Sequence, residues 1–419
     1  MKHINMILFN VLNYVKQPPD KKQSVSQQCC SARQAGYSML ELLVAMTIGV
    51  LVLGSAIAMQ VSNRGSFRAT TSELEMKTSA KMAAEFIGTS LRGVGAMGCR
   101  TVDAFQGIQS ANRQAETESA YNIVLNSTNT DIKYLADANF NAGHEILGYE
   151  AIGSAWNPVP ATELKLDRMT PGSDAITLRG GVGQTYVIAN GRSYGQASYP
   201  LAVKAGTDIE VTAGNYAVAS TCKNAEVFKV TGVGADGIGR GAGSGLNSNS
   251  QGVTTQRYGI GREDFAELRR VATTSYYIGN NLRGTPTLYR NIDGISSPLV
   301  EGVEHMMLEY GIEDNAVLRN VASRYLTADE IQKSCVVTPG APLSVPLPKG
   351  CLWPSVVSVR VSFIMRSRDE ILGKKVQKSY TLSGGKNQVH SKEDKYTRAT
   401  YSSTFVVRNR LIGARTKDG

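Results

Sequence analysis

One carboxylate stands at the edge of a long apolar run and offers the clearest chemistry in the sequence. Glu41 precedes twenty residues without a charge, 42–61, which read LLVAMTIGVLVLGSAIAMQV. At about 1.5 Å per helical residue, the run spans roughly 30 Å, the thickness of one hydrocarbon core. A carboxylate at such an edge costs up to about 3 kcal/mol unless a cation neutralises it. The sequence therefore predicts a transmembrane helix over 42–61, rather than a buried core helix, and an acid that needs a partner.

Other residues that could carry chemistry do not form a site. The four histidines are far apart in the sequence: His3, His144, His305 and His390. Residues 232–237 match GxGxxG, but a dinucleotide site needs a helix to begin there, and more glycine and serine follow instead. Residues 180–185 resemble a phosphate-binding loop without its lysine or its first glycine. The sequence predicts no catalytic residue, no cofactor and no metal site, and hence no enzyme.

The charge distribution gives the chain a direction across the membrane. The net charge is +10, and residues 1–36 contribute +4 of it through five basic side chains against one aspartate. Because basic residues precede the apolar run, the positive-inside rule places the N-terminus in the cytoplasm and the longer domain on the other side. The +6 that remains of the +10 is mild for the rest of the chain and does not by itself indicate a nucleic-acid partner.

The helical pattern continues beyond the membrane run. No proline occurs from Tyr37 to Gly98. Apolar residues recur at three-, four- and seven-residue steps, which predicts one packed helix face as far as about residue 94. These positions are Phe67, Leu74, Met82, Phe86, Ile87, Leu91 and Val94. Glycines at 93, 95 and 98 are expected to end the helix. The sequence thus predicts a helical segment over 37–98.

From residue 99 onward the pattern changes to short runs of alternating polarity. The clearest run is 357–363, VSVRVSF, which is apolar at every second position and typical of a half-buried strand. Further strands are predicted over 175–178, 208–211, 227–230, 275–278, 287–292, 305–310 and 404–407. The segment 231–252 contains eight glycines and is predicted to be a surface loop. We expect an α+β fold in which a head, 99–419, forms an antiparallel sheet packed on the long helix.

The sequence around Glu41 resembles the class III signal of type IV prepilins and of secretion pseudopilins. The matching residues are 35–45, AGYSMLELLVA, with glycine, an aromatic residue, glutamate and the apolar run at the family's spacing. The resemblance implies that 1–36 is a leader and that prepilin peptidase cuts between Gly36 and Tyr37. It also implies that the new amine of Tyr37 is methylated and that Glu41 is the fifth residue of the mature protein.

The spacing of Tyr37 and Glu41 suits a pairing of charges within a fibre. Helical residues four apart share one face. In a bundle of apolar helices, the carboxylate of Glu41 can neutralise the ammonium group of a neighbouring subunit. Because an unpaired charge in such a core is costly, the pairing would also set the register of assembly.

The order of several segments past residue 200 is similar to that of the PilW group of minor pilins, relatives of the J-type pseudopilins. The segments are YAVASTC (216–222), FKV (228–230), VEGVEHMMLEY (300–310), RYLTAD (324–329), WPSVVSVR (353–360) and TFVVRNR (404–410). Each segment alone is weak evidence, and their succession carries the resemblance. Together with the N-terminal signal, the resemblance implies a pilin-like fold, in which the long N-terminal helix packs on a β-sheet head.

The resemblance also implies a cellular role. Prepilin peptidase would process the chain, which would then wait in the inner membrane with its head in the periplasm. Other minor pilins, the major pilin and the pilus assembly platform are the implied partners. The protein would help to prime the pilus and would remain near its tip at the cell surface. In this family that role supports twitching motility, adhesion and, in some members, DNA uptake.

Cysteine usage fits an exported head. Cys29 and Cys30 belong to the predicted leader, and four cysteines remain: Cys99, Cys222, Cys335 and Cys351. An even number in an exported domain indicates disulfides, and four cysteines allow three pairings. Cys335 and Cys351 enclose a short proline-rich loop, and pairing them leaves Cys99 with Cys222. Zinc is a poor alternative because no CxxC pair occurs.

Two rival functions remain open. The first is a J-type pseudopilin of type II secretion, although such heads are usually smaller than 99–419. The second is a membrane-anchored adhesin or a DNA-binding competence pilin. A basic stretch near the C-terminus bears on it: Lys374, Lys375, Lys378, Lys386, Lys392 and Lys395, interleaved with Tyr380 and Tyr396. Such a stretch is more often a solvated surface, so that a nucleic-acid partner is possible but not indicated.

Overall fold

The computed structural model divides the chain into two compact units, Met1–Arg64 and Gly65–Gly419. The described residues are 38–96, 121–123, 145–160, 162–166, 168–188, 201, 203, 210–220, 225–234, 237–241, 266–313, 321–335, 351–382 and 387–407. The boundary between the units falls inside the long helix and not at 98/99, where the sequence pattern changes. The reason is that the helical residues after 65 pack against the head and belong to its core.

Helix α1 (Met39–Gly93) is 55 residues long and confirms the expected N-terminal helix. Ser38 begins it, since its hydroxyl accepts a hydrogen bond from the Leu40 amide at 3.3 Å and its carbonyl accepts one from the Glu41 amide at 2.9 Å. Gly95 follows the last turn with φ of 68°, a conformation that favours glycine.

Besides α1, the described residues contain seventeen strands, one short α-helix and two 3₁₀ turns at Thr162–Leu164 and Trp353–Ser355. The strands and the short α-helix are β1 (Tyr121–Ile123), β2 (Ile146–Ile152), β3 (Ala155–Asn157), β4 (Ala175–Val187), β5 (Tyr216–Ser220), β6 (Ala225–Lys229), β7 (Gly232–Gly234), β8 (Gly237–Gly239), β9 (Glu267–Asn280), β10 (Pro286–Ile292), β11 (Ile295–Glu301), β12 (Val303–Ile312), β13 (Arg324–Leu326), α2 (Ala328–Cys335), β14 (Val356–Glu370), β15 (Ser379–Leu382), β16 (Asn387–His390) and β17 (Tyr396–Val406).

The strands form two sheets and two small ribbons in place of the single sheet expected. The larger sheet has the order β1-β6-β5-β9-β4-β2-β3, and β10 joins β9 to β11. The smaller sheet has the order β13-β12-β14-β17, while β7–β8 and β15–β16 are separate ribbons. All described pairings are antiparallel except that of β1 with β6, so the α+β prediction is confirmed.

The second half of α1 packs against the sheets through small side chains. Its buried residues are Ser72, Met76, Ala80, Ala83, Ala84, Ile87, Gly88 and Leu91. The expected stripe is therefore wrong in its first half, because Phe67, Leu74 and Met82 are 73 %, 60 % and 50 % exposed. Alanines on the buried face let the helix backbone approach the sheets closely, which the pattern of large apolar residues did not reveal.

Most strand predictions are confirmed, and two segments differ. Residues 210 and 211 of the predicted strand 208–211 are not in a strand, and 208–209 lie outside the described residues. The glycine-rich segment 231–252 was expected to be a loop, but β7 and β8 form a hairpin within it. Glycine imposes no side-chain pattern of period two, so alternation could not indicate this hairpin. A hairpin also lacks the helix that a dinucleotide fingerprint requires.

Candidate assembly surface

The predicted processing site lies partly outside the described residues. Gly36 and Tyr37 fall there, and the cleavage and methylation assigned to them stay predictions. Glu41 lies in the first turn of α1, with its side chain exposed. An acid in the first helical turn is favoured by the partial positive charge of the free amide groups. The structure thus leaves the carboxylate of Glu41 open to a partner.

The apolar half of α1 presents its side chains outward. Of the described helices, α1 alone is long and apolar enough to cross a membrane, with a mean hydropathy of 2.4 over the best window and none of that window buried. Leu51 and Val50 are 73 % and 68 % exposed. So large an apolar surface requires lipid or other helices to cover it.

Helix α1 is bound to the large sheet by a buried tyrosine. The Tyr276 hydroxyl on β9 lies 3.1 Å from the Phe86 carbonyl, to which it donates, and 2.8 Å from the Ser90 hydroxyl. Burial raises the pKa of the Tyr276 hydroxyl. These contacts fix the rotation of the helix, because only one of its faces carries both groups.

The C-terminal end of α1 is fastened to the edge of β4. The Gly95 amide donates to the Arg179 carbonyl at 3.1 Å, and the Gly181 amide donates to the Ala96 carbonyl at 3.3 Å. A side chain at Gly180 would overlap the Gly93 carbonyl. The glycines that resemble a phosphate-binding loop are therefore part of a strand, where they permit two backbones to approach.

Asp174 joins the two sheets from the turn before β4. Its carboxylate accepts hydrogen bonds from the Ala151 amide on β2 and the Leu308 amide on β12, both at 2.9 Å. The neighbouring Ser173 hydroxyl accepts from the Met306 amide at 2.9 Å. Burial raises the pKa of Asp174 to about 7, although the two amide donors oppose the rise.

A disulfide closes the loop between α2 and β14. Cys335, the last residue of α2, is bonded to Cys351, and both are buried. The Leu352 amide donates to the Ser334 hydroxyl at 3.1 Å, and Trp353 packs edge-on against Tyr310 with ring centroids 5.1 Å apart. The enclosed residues 336–350, and also Cys99 and Cys222, lie outside the described residues. The pairing of Cys99 with Cys222 stays a prediction.

The basic stretch near the C-terminus is a mixed surface. Lys374, Lys375, Lys378 and Lys392 are exposed, and Lys386 lies outside the described residues. The exposed acids Asp369 and Glu370 precede these lysines in the sequence, and the exposed Glu393 follows Lys392. The ring of Tyr396 is covered by the Arg366 guanidinium at 4.5 Å. This arrangement offers no stacked row of aromatic rings for nucleic acid in the described part of the chain.

Three side chains that hold the head together carried no sequence signal. They are Asp174, Tyr276 and Arg398. Arg398 on β17 is almost fully buried and lies 2.9 Å from a carboxylate oxygen of Glu304 and 2.8 Å from one of Asp394. Each of the three side chains binds at least one residue that is distant in the sequence, and spacing along the chain does not reveal such contacts.

Within the described ranges, no group of three or more residues could hold a metal ion. His305 is largely buried, which lowers the pKa of its imidazole, and His390 bonds the Ser379 hydroxyl at 2.8 Å.

Two family models match the chain. The model described as type IV pilus-assembly protein W matches residues 275–409, and the prokaryotic N-terminal methylation motif matches residues 31–57. The first match covers β9 to β17, including the whole smaller sheet, and the second covers Gly36, Tyr37 and Glu41. No match was found among curated proteins or among solved structures.

Proposed function

Because this chain is a type IV pilin of the PilW family, we propose that it is a minor pilin that helps to prime pilus assembly and then remains near the tip. One observation carries the proposal. The outward-facing apolar half of α1 begins with Glu41 inside the methylation motif, and its other half is built into the core of a large head. Such a chain is a structural subunit and not an enzyme.

The proposed sequence of events begins in the inner membrane. Prepilin peptidase cuts after Gly36 and methylates the amine of Tyr37, while the head lies in the periplasm. The assembly platform then moves the subunit out of the lipid, and the apolar half of α1 exchanges lipid for the helices of other minor pilins and the major pilin. The Glu41 carboxylate pairs with the amine of a neighbour and sets the axial register.

A position near the tip is supported by the construction of the head. The described residues of the head build two sheets, and β17 of the smaller sheet packs against α1. A head of this size is difficult to repeat along a closely packed fibre, whereas one copy at the end meets no such crowding. Twitching motility, adhesion and DNA uptake are the activities that such a tip would support.

The first experiment is to identify the N-terminus of the membrane-bound protein by mass spectrometry, in cells with and without prepilin peptidase. We expect a peptide that begins with N-methylated Tyr37 and is absent without the peptidase. An intact 1–36 segment, or cleavage near Val61, would overturn the assignment.

Deletion of the gene separates the pilus from its nearest rival. A minor pilin that primes assembly predicts a loss of surface pili with normal protein secretion. The hypothesis of a J-type pseudopilin predicts normal surface pili with a loss of protein secretion. An anchored adhesin predicts normal pili and normal secretion, with a loss of adhesion alone.

A further inference from the structure

A cavity of about 550 Å³ lies where α1 ends against β4 and β9. Its described lining includes four arginines and one carboxylate: Arg179, Arg269, Arg270, Arg290 and Glu210. We call it the arginine cavity. So many guanidinium groups around one space are unusual, because arginine stays charged at every physiological pH and must be compensated when it is partly buried.

Two of the four arginines have acidic or phenolic neighbours. Arg270 lies 3.0 Å from a carboxylate oxygen of Asp293, and Arg179 experiences the charges of Glu145 and Tyr149. The other two arginines differ. Neither Arg269 nor Arg290 forms an ion pair with another described residue, and Arg290 binds the neutral hydroxyl of Tyr276. Among the described lining residues, the arginines therefore carry more positive charge than Glu210, the one carboxylate there, can balance.

Several residues that line the cavity carry a buried donor without a partner among the described residues. The Nε atoms of Arg269, Arg270 and Arg290 are buried and have no hydrogen-bond acceptor among the described residues. A buried donor without an acceptor is rare in folded proteins and calls for an explanation such as an absent ligand or water. All three donors belong to residues that line the cavity.

The strand beside the cavity has a break in its pairing. In the pairing of β4 with β9, Val182 lies opposite Arg270 and Thr185 lies opposite Arg269, so that Gly183 and Gln184 are extra residues. These two residues are exposed, and they line the cavity. A bulge of this kind re-aims side chains and interrupts pairing. Here the two unpaired residues border the cavity.

We propose that the arginine cavity binds a small oxyanion that carries phosphate or carboxylate groups. Planar guanidinium groups match the two oxygens of such an anion, and the volume suits a small molecule and not a nucleic-acid strand. Arg269 and Arg290 supply the uncompensated charge. Glu210 limits the total negative charge that the ligand can bring. The cavity lies at the C-terminal end of α1, outside the apolar half of that helix, and binding there does not depend on the proposed role in the pilus.

The test uses the full-length protein in detergent, with inorganic phosphate and citrate as probes and sodium chloride at equal ionic strength as the reference. Calorimetric titration gives the affinity, and thermal unfolding gives the shift in midpoint. We expect phosphate or citrate to bind the wild type, and R269Q and R290Q each to weaken that binding at least tenfold. The control variant R283Q alters an exposed arginine in the turn between β9 and β10 and should bind as the wild type does.

Each other result overturns the proposal. An equal response of all four proteins would mean a general effect of salt, and an absence of binding to either probe would mean that the cavity is structural. Binding of DNA that depends on Arg269 and Arg290, without binding of phosphate or citrate, would exclude a small-anion site. Unfolding curves of R269Q and R290Q without ligand serve as the control for folding. If both variants are folded, a loss of binding is not caused by a loss of structure.

Discussion

The ring of Phe405 lies directly over Gly88 of α1, closer than any side chain at position 88 would allow. This contact joins β17, the last described strand, to the N-terminal helix. Gly88 is buried, and a Cβ there would overlap three carbon atoms of the ring. A glycine in the middle of a helix normally weakens it, so its presence here is explained by the close approach of the smaller sheet.

Gly88→Ala should lower the free energy of unfolding by about 1–3 kcal/mol, because the ring of Phe405 must move out of its packed position. Gly65→Ala is the matched control in the same helix, since no atom lies within 4 Å of its added Cβ. The control should raise stability by about 0.5–1 kcal/mol through helix propensity. Urea unfolding of both variants measures the two effects. Changes of the same sign would contradict the packing argument.

The sequence was sufficient to predict α1 but not the face on which it packs. The absence of proline and the glycines after residue 92 determine the length of the helix, and these are local signals. Its contacts depend instead on Ala80, Ala83 and Ala84, which are as compatible with an exposed face as with a buried one. The spacing of large apolar residues such as Phe67 predicted a packed face, but Phe67 is exposed.

Arg398 should be among the most sensitive residues of the head. Arg398→Ala leaves the carboxylates of Glu304 and Asp394 without their partner, and we expect a loss of about 3–5 kcal/mol. Arg398→Lys keeps the charge but not the planar fork, and should recover only part of that loss. Lys77→Ala breaks the exposed pair with Glu73 and should cost less than about 1 kcal/mol. Similar losses for Arg398→Ala and Lys77→Ala, measured by denaturant unfolding, would refute this ranking.

The disulfide should contribute measurably to stability. Cys335 and Cys351 are 16 positions apart, and closing a loop of that length stabilises the fold by about 3 kcal/mol in the chain-entropy model. The double substitution Cys335→Ala/Cys351→Ala should therefore lower the unfolding midpoint. Added reductant should lower the midpoint of the wild type by at least as much. A wild type that unfolds at the same midpoint with and without reductant would contradict the prediction.

A second double substitution isolates the predicted pair of Cys99 and Cys222. In the variant Cys335→Ala/Cys351→Ala, reductant can act only on the cysteines that remain. A further drop of the midpoint in that variant, abolished when Cys99→Ala and Cys222→Ala are added, would support the second disulfide. No further drop would leave Cys335–Cys351 as the one disulfide that affects stability.

Pairing between the sheets could not be predicted from the sequence either. Alternation of polarity indicates which face of a strand is buried but not which strand lies beside it. The strands at 305–310 and 357–363 were therefore predicted, but their pairing was not. Asp174 binds the amide of Leu308, 134 residues later, and no local pattern indicates this contact. The processing site at Gly36, Tyr37 and Glu41 could be predicted from the sequence because its signal is one short, continuous segment.

Asp174 should make the head less stable as the pH rises. Its pKa is about 7 in the folded state against 3.8 ordinarily, since burial disfavours the charge. Between these values the folded state keeps a proton that the unfolded chain has lost, so the free energy of unfolding falls as the pH rises from about 4 to about 7. The fall is at most about 4 kcal/mol. Above pH 7 the loss is complete and does not grow.

Asp174→Asn tests this dependence. The variant should be less stable at pH 5, because its amide group cannot accept from both backbone donors, yet its stability should change less between pH 5 and pH 8. Asp369→Asn, at an exposed position, should keep the pH dependence of the wild type. Chemical unfolding of the three proteins at the two pH values measures these differences. Because all three proteins contain His305, its titration does not affect the comparison. Equal slopes for wild type and Asp174→Asn would show that Asp174 does not titrate in this range.

Glu41 should be required for entry into the fibre but not for folding of the head. Glu41→Ala removes the carboxylate that is proposed to neutralise the amine of a neighbouring subunit, while Glu41 lies outside the compact unit Gly65–Gly419. We expect a loss of at least tenfold in the fraction of the protein found in sheared pili, with normal membrane levels and normal cleavage after Gly36. Glu73→Ala, an exposed acid farther along α1, should assemble normally. Normal incorporation of Glu41→Ala would show that charge pairing at this position does not determine assembly.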